Sequence, residues 1–300
     1  MGEDEVPTDA PVIEFRNVSM SFDARRVLSD VSFRLRRGQM IIITGAGGSG
    51  KSVLLHLAIG LLQAETGEVL IEGRAIEPLT ETELLQIRSA RMGMVFQEDT
   101  LFTGMDVYDN AAYRLTEHGW PEEEVDAAVR QILRFVGLES DVDKLPEELS
   151  IGMRRRLEIA RALVGWPPIM LFDEPTAGLD PINARQVLDL IIRARDIHGI
   201  SSLYVTKELH EIPYLATHYA ESGDTEQMPV HKGAAPLGCE LRVLVLDGGK
   251  IVFFGTPDEF ASSTVPAVTL LTHPEAAMHA SHAYVQDHRD KGRGAVKGLP

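Results

Sequence analysis

Segment 39–62 constrains the fold more than any other, because it joins a buried strand, a glycine-rich turn and a helix. Residues 39–44 (QMIIIT) form a nearly continuous apolar run, which is typical of a strand buried on both faces. The turn consists of Gly45, Ala46, Gly47, Gly48, Ser49, Gly50, Lys51 and Ser52, and Val53 leads into a helical stretch. The pattern GxxxxGK[ST] in this context predicts a phosphate-binding loop. A glycine-rich turn without a ligand is the alternative.

The chemistry of this loop indicates ATP and Mg²⁺ as cofactors. Glycines allow the backbone to wrap closely, so that its N–H groups point at phosphate oxygens. The N-terminus of the following helix adds the positive end of its dipole. We expect Lys51 to reach the β- and γ-phosphates, where it assists both binding and catalysis, and the Ser52 hydroxyl to bind Mg²⁺.

A second apolar strand, 169–172, ends in two carboxylates. Acids at a strand end are common and usually carry no chemistry. Here they lie downstream of a phosphate loop, so Asp173 is the expected acid of the Mg²⁺ site. Glu174, one residue further on, is placed to polarise the attacking water as a general base.

The order of predicted elements is strands, phosphate loop, a helical stretch at about 81–165, and then strand, helix and strand. This order predicts an α/β fold with a mostly parallel sheet and an inserted helical subdomain. We expect the main domain at 12–260, after a disordered lead-in at 1–11 and before a partly disordered extension at 261–300. Residues 221–240 are polar and without period, and are interpreted as a loop insert.

Local patterns predict several individual elements. Short strands are expected at 12–15 and 31–35, where β-branched residues cluster. Residues 122–136 have apolar spacing near 3.6 after a proline, which predicts a helix. Residues 241–246 and 250–254 flank the turn Asp-Gly-Gly, which predicts a hairpin.

Composition excludes some functions. The formal charge of −16 argues against nucleic acid as a partner, since phosphate backbones require a basic surface. No apolar run approaches the ~20 residues of a membrane-spanning helix, and the acidic N-terminus lacks the apolar core of a secretory signal. The single cysteine, Cys239, fits a reducing compartment. We therefore expect a cytoplasmic protein.

Residues 149–153 (LSIGM), followed by three arginines, resemble the signature sequence of ABC ATPases, which is usually LSGGQ. Gln97 follows residues 93–96 (GMVF) at the place of that family's Q-loop glutamine. Residues 177–180 (AGLD) resemble its D-loop. Over about residues 12–260, the chain thus resembles the ATP-binding subunits of ABC transporters.

This resemblance implies a P-loop NTPase core with an N-terminal antiparallel β subdomain and an inserted helical subdomain. It implies a head-to-tail dimer that encloses two ATP molecules, and a permease that holds the chain at the inner or plasma membrane. Phe22 would stack on adenine, although such a residue is more often in a core. The resemblance adds to the nucleotide site Gln97 as a Mg²⁺ ligand and catalytic residue, Ser150 and Gly152 as donors to the other copy's ATP, and Asp180 of the D-loop.

Three features resemble one branch of this family, the ATPases of mammalian-cell-entry (MCE) lipid transporters, including the maintenance-of-lipid-asymmetry system. They are Met153 before the arginines, residues 50–55 (GKSVLL) and residues 96–118. The resemblance implies lipid or phospholipid as cargo and an MCE-domain substrate-binding protein as a further partner. Two alternatives stay open: an ABC ATPase for another cargo, and an ATP-gated subunit with weak or no hydrolysis.

Lys207 follows residues 204–206 (YVT), where the family has its switch histidine. Histidine there would contact the γ-phosphate and hold the water and Glu174 in register. A protonated lysine only donates hydrogen bonds, whereas neutral imidazole both donates and accepts. We include Lys207 among the catalytic residues and expect it to preserve ATP binding and lower turnover. His210, three residues on, is the candidate to replace the missing histidine.

Overall fold

The computed structural model describes residues 11–23, 25–221, 229–233 and 239–273. Its strands are β1 (Pro11–Phe22), β2 (Arg25–Arg36), β3 (Met40–Thr44), β4 (Thr66–Ile71), β5 (Arg74–Ala75), β6 (Met92–Val95), β7 (Ile169–Asp173), β8 (Ser201–Val205), β9 (His218–Ala220), β10 (Val230–Lys232), β11 (Leu241–Asp247) and β12 (Lys250–Gly255). Its α-helices are α1 (Lys51–Ala58), α2 (Glu81–Arg91), α3 (Val107–Glu117), α4 (Glu122–Val136), α5 (Ile151–Leu163), α6 (Pro181–His198), α7 (Glu211–Thr217), α8 (Pro257–Ala261) and α9 (Pro266–Thr272).

Some sequence predictions fall on other parts of the chain. The lead-in at 1–11, apart from Pro11, lies outside the described residues. So do residues 274–300 of the predicted extension and residues 222–228 and 234–238 of the predicted insert.

The N-terminal strands form an antiparallel sheet in the order β2-β1-β4-β5. β1 and β2 are much longer than the short strands predicted at 12–15 and 31–35. Their pairing contains four register shifts, and Asn17 adopts a left-handed backbone with φ of 50°. Such irregularities break the two-residue alternation by which a strand is recognised in sequence. The antiparallel β subdomain itself is confirmed.

A six-stranded sheet with the order β12-β11-β3-β8-β7-β6 forms the centre of the fold. All neighbouring pairs are parallel except β11 with β12. Every residue of β3, β7 and β8 is buried, because helices and the second sheet cover both faces. The predicted mostly parallel α/β core is confirmed. The carboxyl ends of these three neighbouring strands lie along one edge, where the phosphate loop, Glu174 and Lys207 follow them.

Helices α3, α4 and α5 pack together as a helical layer beside this sheet. α4 buries one apolar face and ends at Gly137, which adopts a left-handed backbone with φ of 67°. The predicted helical stretch 81–165 is wrong in one respect, since it contains strand β6. This strand has only four residues (MGMV) and pairs with β7, so its own pattern was too short to be recognised.

The C-terminal elements confirm one prediction and correct one. β11 and β12 form the predicted hairpin. The predicted loop insert contains a strand, because β10 pairs with β9 in antiparallel fashion. The start of the predicted extension is also ordered, since Val268 of α9 is completely buried. None of the helices in the described residues combines the length and the apolar character that crossing a bilayer requires.

Candidate functional site

The phosphate loop connects β3 to α1, and its backbone passes close to neighbouring strands. Gly45 has φ of 145°, and a Cβ atom there would lie 2.1 Å from the carbonyl oxygen of Leu246. Gly50 has φ of 101°, and its Cβ atom would lie 2.8 Å from the Leu28 side chain. Only glycine fits these two positions, because any side chain meets both strain and collision. Glycine at both positions therefore lets the loop adopt this backbone and pass close to its neighbouring strands.

The Lys51 ammonium lies inside this loop. It donates to the carbonyl oxygens of Gly45 and Ala46, at 2.9 Å each. Burial lowers the pKa of Lys51, and the nearby Glu174 carboxylate opposes that shift. The ammonium is thus held where a phosphate chain in the loop would meet it, and its present acceptors are weaker than phosphate oxygens.

Ser52 and Asp173 are brought together from elements far apart in the chain. The Ser52 hydroxyl donates to the Asp173 carboxylate at 3.2 Å. Burial raises the pKa of Asp173, and the hydrogen bond from Ser52 opposes this. A hydroxyl and one carboxylate fit Mg²⁺, which keeps waters and phosphate oxygens as its other ligands. Among the described residues, no group of three or more His, Cys, Asp or Glu side chains is arranged to hold a metal by itself.

Glu174 and Lys207 form an ion pair. The Lys207 ammonium donates to one Glu174 oxygen at 3.0 Å and lies 2.7 Å from the other. Glu174 is buried, with a left-handed φ of 47°, and its N–H donates to the Val205 carbonyl at 3.0 Å. His210 instead lies 3.6 Å from Glu208, with its side chain 72% exposed. Lys207, rather than His210, occupies the position beside the predicted base.

Two residues that were predicted to contact the nucleotide are exposed. Phe22, at the end of β1, is 41% exposed, which excludes the alternative of a core residue. Gln97 follows β6 and is also exposed, and its side chain forms no hydrogen bond within the described part of the chain. The carbonyl of Gln97 accepts from Arg155 at 3.0 Å, so helix α5 holds its backbone.

The signature and D-loop residues meet within one copy of the chain. Ser150 caps α5 by accepting from the Met153 N–H at 3.2 Å. Asp180 caps α6, and its carboxylate accepts from the side-chain amide of Asn183 at 2.5 Å. A Cβ atom on Gly152 would lie 2.0 Å from that amide's oxygen, so any larger residue there would have to displace the Asn183 side chain. The structure thus adds Asn183, whose contact with Gly152 no local pattern indicates.

Helix α5 also contacts the loop that carries Gln97 through charged side chains, among them the buried ion pair of Arg155 and Glu158. Glu158 accepts from the Thr100 N–H at 2.9 Å and from the Arg155 guanidinium at 2.6 Å. Arg161 donates to the Thr100 carbonyl at 2.8 Å. Burial raises the pKa of Glu158 to about 7, although Arg155 opposes the shift. No local pattern marks Glu158 or Arg161, since their contacts join segments that are distant in the chain.

This pair predicts a pH-dependent stability. The pKa of Glu158 is higher in the folded protein than in the unfolded chain. Its contribution to the free energy of unfolding is therefore fully present below the unfolded pKa of 4.5 and is lost as the pH rises through about 7. The shift corresponds to about 3 kcal/mol at most. Glu158→Gln, which cannot ionise, should flatten this decline in urea unfolding at pH 5 to 8. Glu98→Gln, at an exposed carboxylate nearby, is the control. An equal pH slope in wild type and Glu158→Gln would contradict the prediction.

The family model described as "ABC transporter" matches residues 28–177. Protein TRIGALACTOSYLDIACYLGLYCEROL 3 of Arabidopsis thaliana is 37% identical over 86% of this chain and 72% of its own. The intermembrane phospholipid transport ATP-binding protein MlaF of Haemophilus influenzae is 36% identical over 69% of this chain and 78% of its own. The methionine import ATP-binding protein MetN of Cutibacterium acnes is 34% identical over 77% of this chain and 67% of its own.

Among solved structures, cbiO1 of Clostridium perfringens, described as part of the ABC transporter complex cbiONQ, has a similar fold. Its TM-score is 0.70 at 24% identity, over 91% of this chain and all of that one. The matched residues include the phosphate loop, strand β7 and the two carboxylates Asp173 and Glu174. The chain therefore belongs to the ABC transporter family and is one of its ATPases.

Proposed function

We propose that this chain hydrolyses Mg²⁺-ATP in a head-to-tail dimer that drives a permease moving lipid across or between membranes. The observation that carries hydrolysis is the grouping of four side chains at one edge of the central sheet. Lys51 and Ser52 lie beyond β3, Asp173 ends β7 and Glu174 follows it, and the Ser52–Asp173 contact is 3.2 Å. This arrangement supports phosphate binding and water activation at adjoining positions.

Each side chain has a chemical task in this proposal. Lys51 exchanges its carbonyl acceptors for β- and γ-phosphate oxygens, and Phe22 offers an exposed ring to adenine. Ser52, Asp173 and Gln97 would hold Mg²⁺, which would neutralise charge on the phosphate chain when bound. Glu174 accepts a proton from the attacking water. Lys207 holds the Glu174 carboxylate in place through its ion pair and brings a positive charge near the γ-phosphate.

The dimer is supported by the exposed end of α5. Ser150 is exposed, and it caps a helix whose N-terminal amides suit an anion. Neighbouring Ile151, which replaces the family's glycine, is 61% exposed. We propose that Ser150, Gly152 and Asp180 contact ATP held by a second copy.

Permease docking is proposed at the loop 98–108. Leu101 of this segment is buried and is therefore not available for contact with a permease. Phe102 remains partly exposed, with its ring 4.5 Å from that of Tyr113. The proposed location is therefore the cytoplasmic membrane surface, through the permease.

Lipid as the cargo is supported by residues 50–55 and Met153 and by the names of two relatives, MlaF among them. A second candidate, another cargo, is favoured by the similarity to a methionine import protein. Purification of the tagged chain from detergent-solubilised membranes of its own cells should recover a permease and an MCE-domain protein. Phe102→Ala should reduce that recovery severalfold, whereas Leu61→Ala, at another exposed apolar site, should not. Recovery of a permease with a soluble amino-acid receptor would contradict lipid transport.

A further inference from the structure

A buried carboxylate, Glu211, lies behind the proposed catalytic pair and has no part in the function described so far. It is the first residue of α7, and only 1% of it is exposed. One carboxylate oxygen accepts from the Tyr204 hydroxyl at 2.8 Å. The other accepts from the Thr176 hydroxyl. Tyr204 and Thr176 are themselves buried.

These two partners lie on different segments. Thr176 is two residues beyond Glu174, in the loop after β7. Tyr204 belongs to β8, three residues before Lys207. One carboxylate thus connects the loop that carries the proposed base to the strand and loop that carry its ion-pair partner.

Main-chain hydrogen bonds hold the start of each segment against a neighbouring strand. The Glu174 N–H is bound by Val205, and the Thr206 N–H donates to Ile43 at 3.1 Å. These bonds anchor the two loops where they leave the sheet. Beyond them, Thr176 and the segment leading to α7 are joined by the Glu211 side chain.

The cost of burying this carboxylate indicates a specific role. A buried charge without partners is strongly unfavourable, and hydrogen bonds to both oxygens offset part of that cost. Burial and the nearby Glu211 charge raise the pKa of Tyr204 well above its usual range, so its hydroxyl remains a donor. Apolar side chains at all three positions would fill the same space without burying a charge, so the gain is positioning rather than stability.

We propose that Glu211 is a positioning residue that sets the register of Glu174 and Lys207 for hydrolysis. It does so through Thr176 on one side and Tyr204 on the other, and without contact to the nucleotide. The inference rests on the proposed function of Glu174 as the base.

The test measures phosphate release and ATP affinity of the purified full chain. Glu211→Ala should lower kcat about tenfold and change the Kd for ATP less than about threefold, as expected for misplaced catalytic groups. Glu211→Gln, which can still bond both hydroxyls, should recover much of the rate. Glu208→Gln, at an exposed carboxylate in the same segment, should match wild type. If Glu211→Ala fails to fold, Tyr204→Phe and Thr176→Val each remove one of the two bonds and take its place.

A second arm separates positioning from general stability. In a Lys207→Ala background, the effect of Glu211→Ala on kcat should shrink to less than about threefold, because the pair it aligns is already gone. An undiminished effect there, an unchanged kcat in Glu211→Ala, or an equal loss of ATP affinity would each overturn the proposal. Absence of phosphate release from the wild-type chain, both alone and assembled with its permease, would instead overturn the hydrolytic function on which the proposal rests.

Discussion

Glu174→Gln is expected to lower ATP turnover by roughly a hundredfold or more while ATP binding is retained. Glutamine has nearly the same shape and still offers an oxygen to Lys207, which lies 2.7 to 3.0 Å from the carboxylate. It cannot accept a proton from water at neutral pH, so only the chemical step is lost. Phosphate release and the Kd of a fluorescent ATP analogue measure the two effects separately.

Two comparisons make this result specific. Lys51→Ala should lose ATP binding itself, because it removes the buried cation of the phosphate loop. With ATP present, Glu174→Gln should also remain a dimer in size-exclusion chromatography, since nucleotide that is not hydrolysed keeps two copies closed. Turnover within about threefold of wild type would show that another group activates water, or that none does.

Lys207→His is expected to raise turnover about tenfold in the assembled complex, by restoring a side chain that both donates and accepts. In wild type the ammonium contacts both oxygens of Glu174, at 3.0 and 2.7 Å. Those oxygens are then less available to the attacking water. A neutral imidazole at this place would bind Glu174 with one ring nitrogen and leave the other for the γ-phosphate and water.

The controls for this variant lie in the same segment. Lys207→Ala removes the ion pair without adding an acceptor and should not reproduce the gain. His210→Ala should leave the rate unchanged, because His210 is exposed and lies beside Glu208. An unchanged or lower rate in Lys207→His would refute the prediction. Near-absent turnover in both wild type and Lys207→His, with firm ATP binding, would favour the alternative of an ATP-gated subunit.

The phosphate loop and the acids after β7 could be predicted from sequence because their geometry is local. Three glycines of the loop, Gly45, Gly48 and Gly50, have positive φ. They lie within six residues of one another, so a short sequence pattern is enough to recognise them. The fully buried β3 and β7 also show themselves as unbroken apolar runs. Strands β1 and β2 contain bulges that interrupt their pattern, and β6 has only four residues. The sequence therefore did not indicate the full extent of β1 and β2 or the presence of β6.

The sequence by itself determined the position of the phosphate loop, the position of the two carboxylates and the family. The order and spacing of residues along the chain carry that information. The tertiary structure alone decided that Lys207, 33 residues from Glu174, holds its carboxylate, and that Glu211, 35 residues from Thr176, connects the two loops. The physical reason is that a hydrogen bond between distant residues depends on how β7 and β8 lie side by side. No local pattern reports that arrangement, although it places the base on which turnover depends.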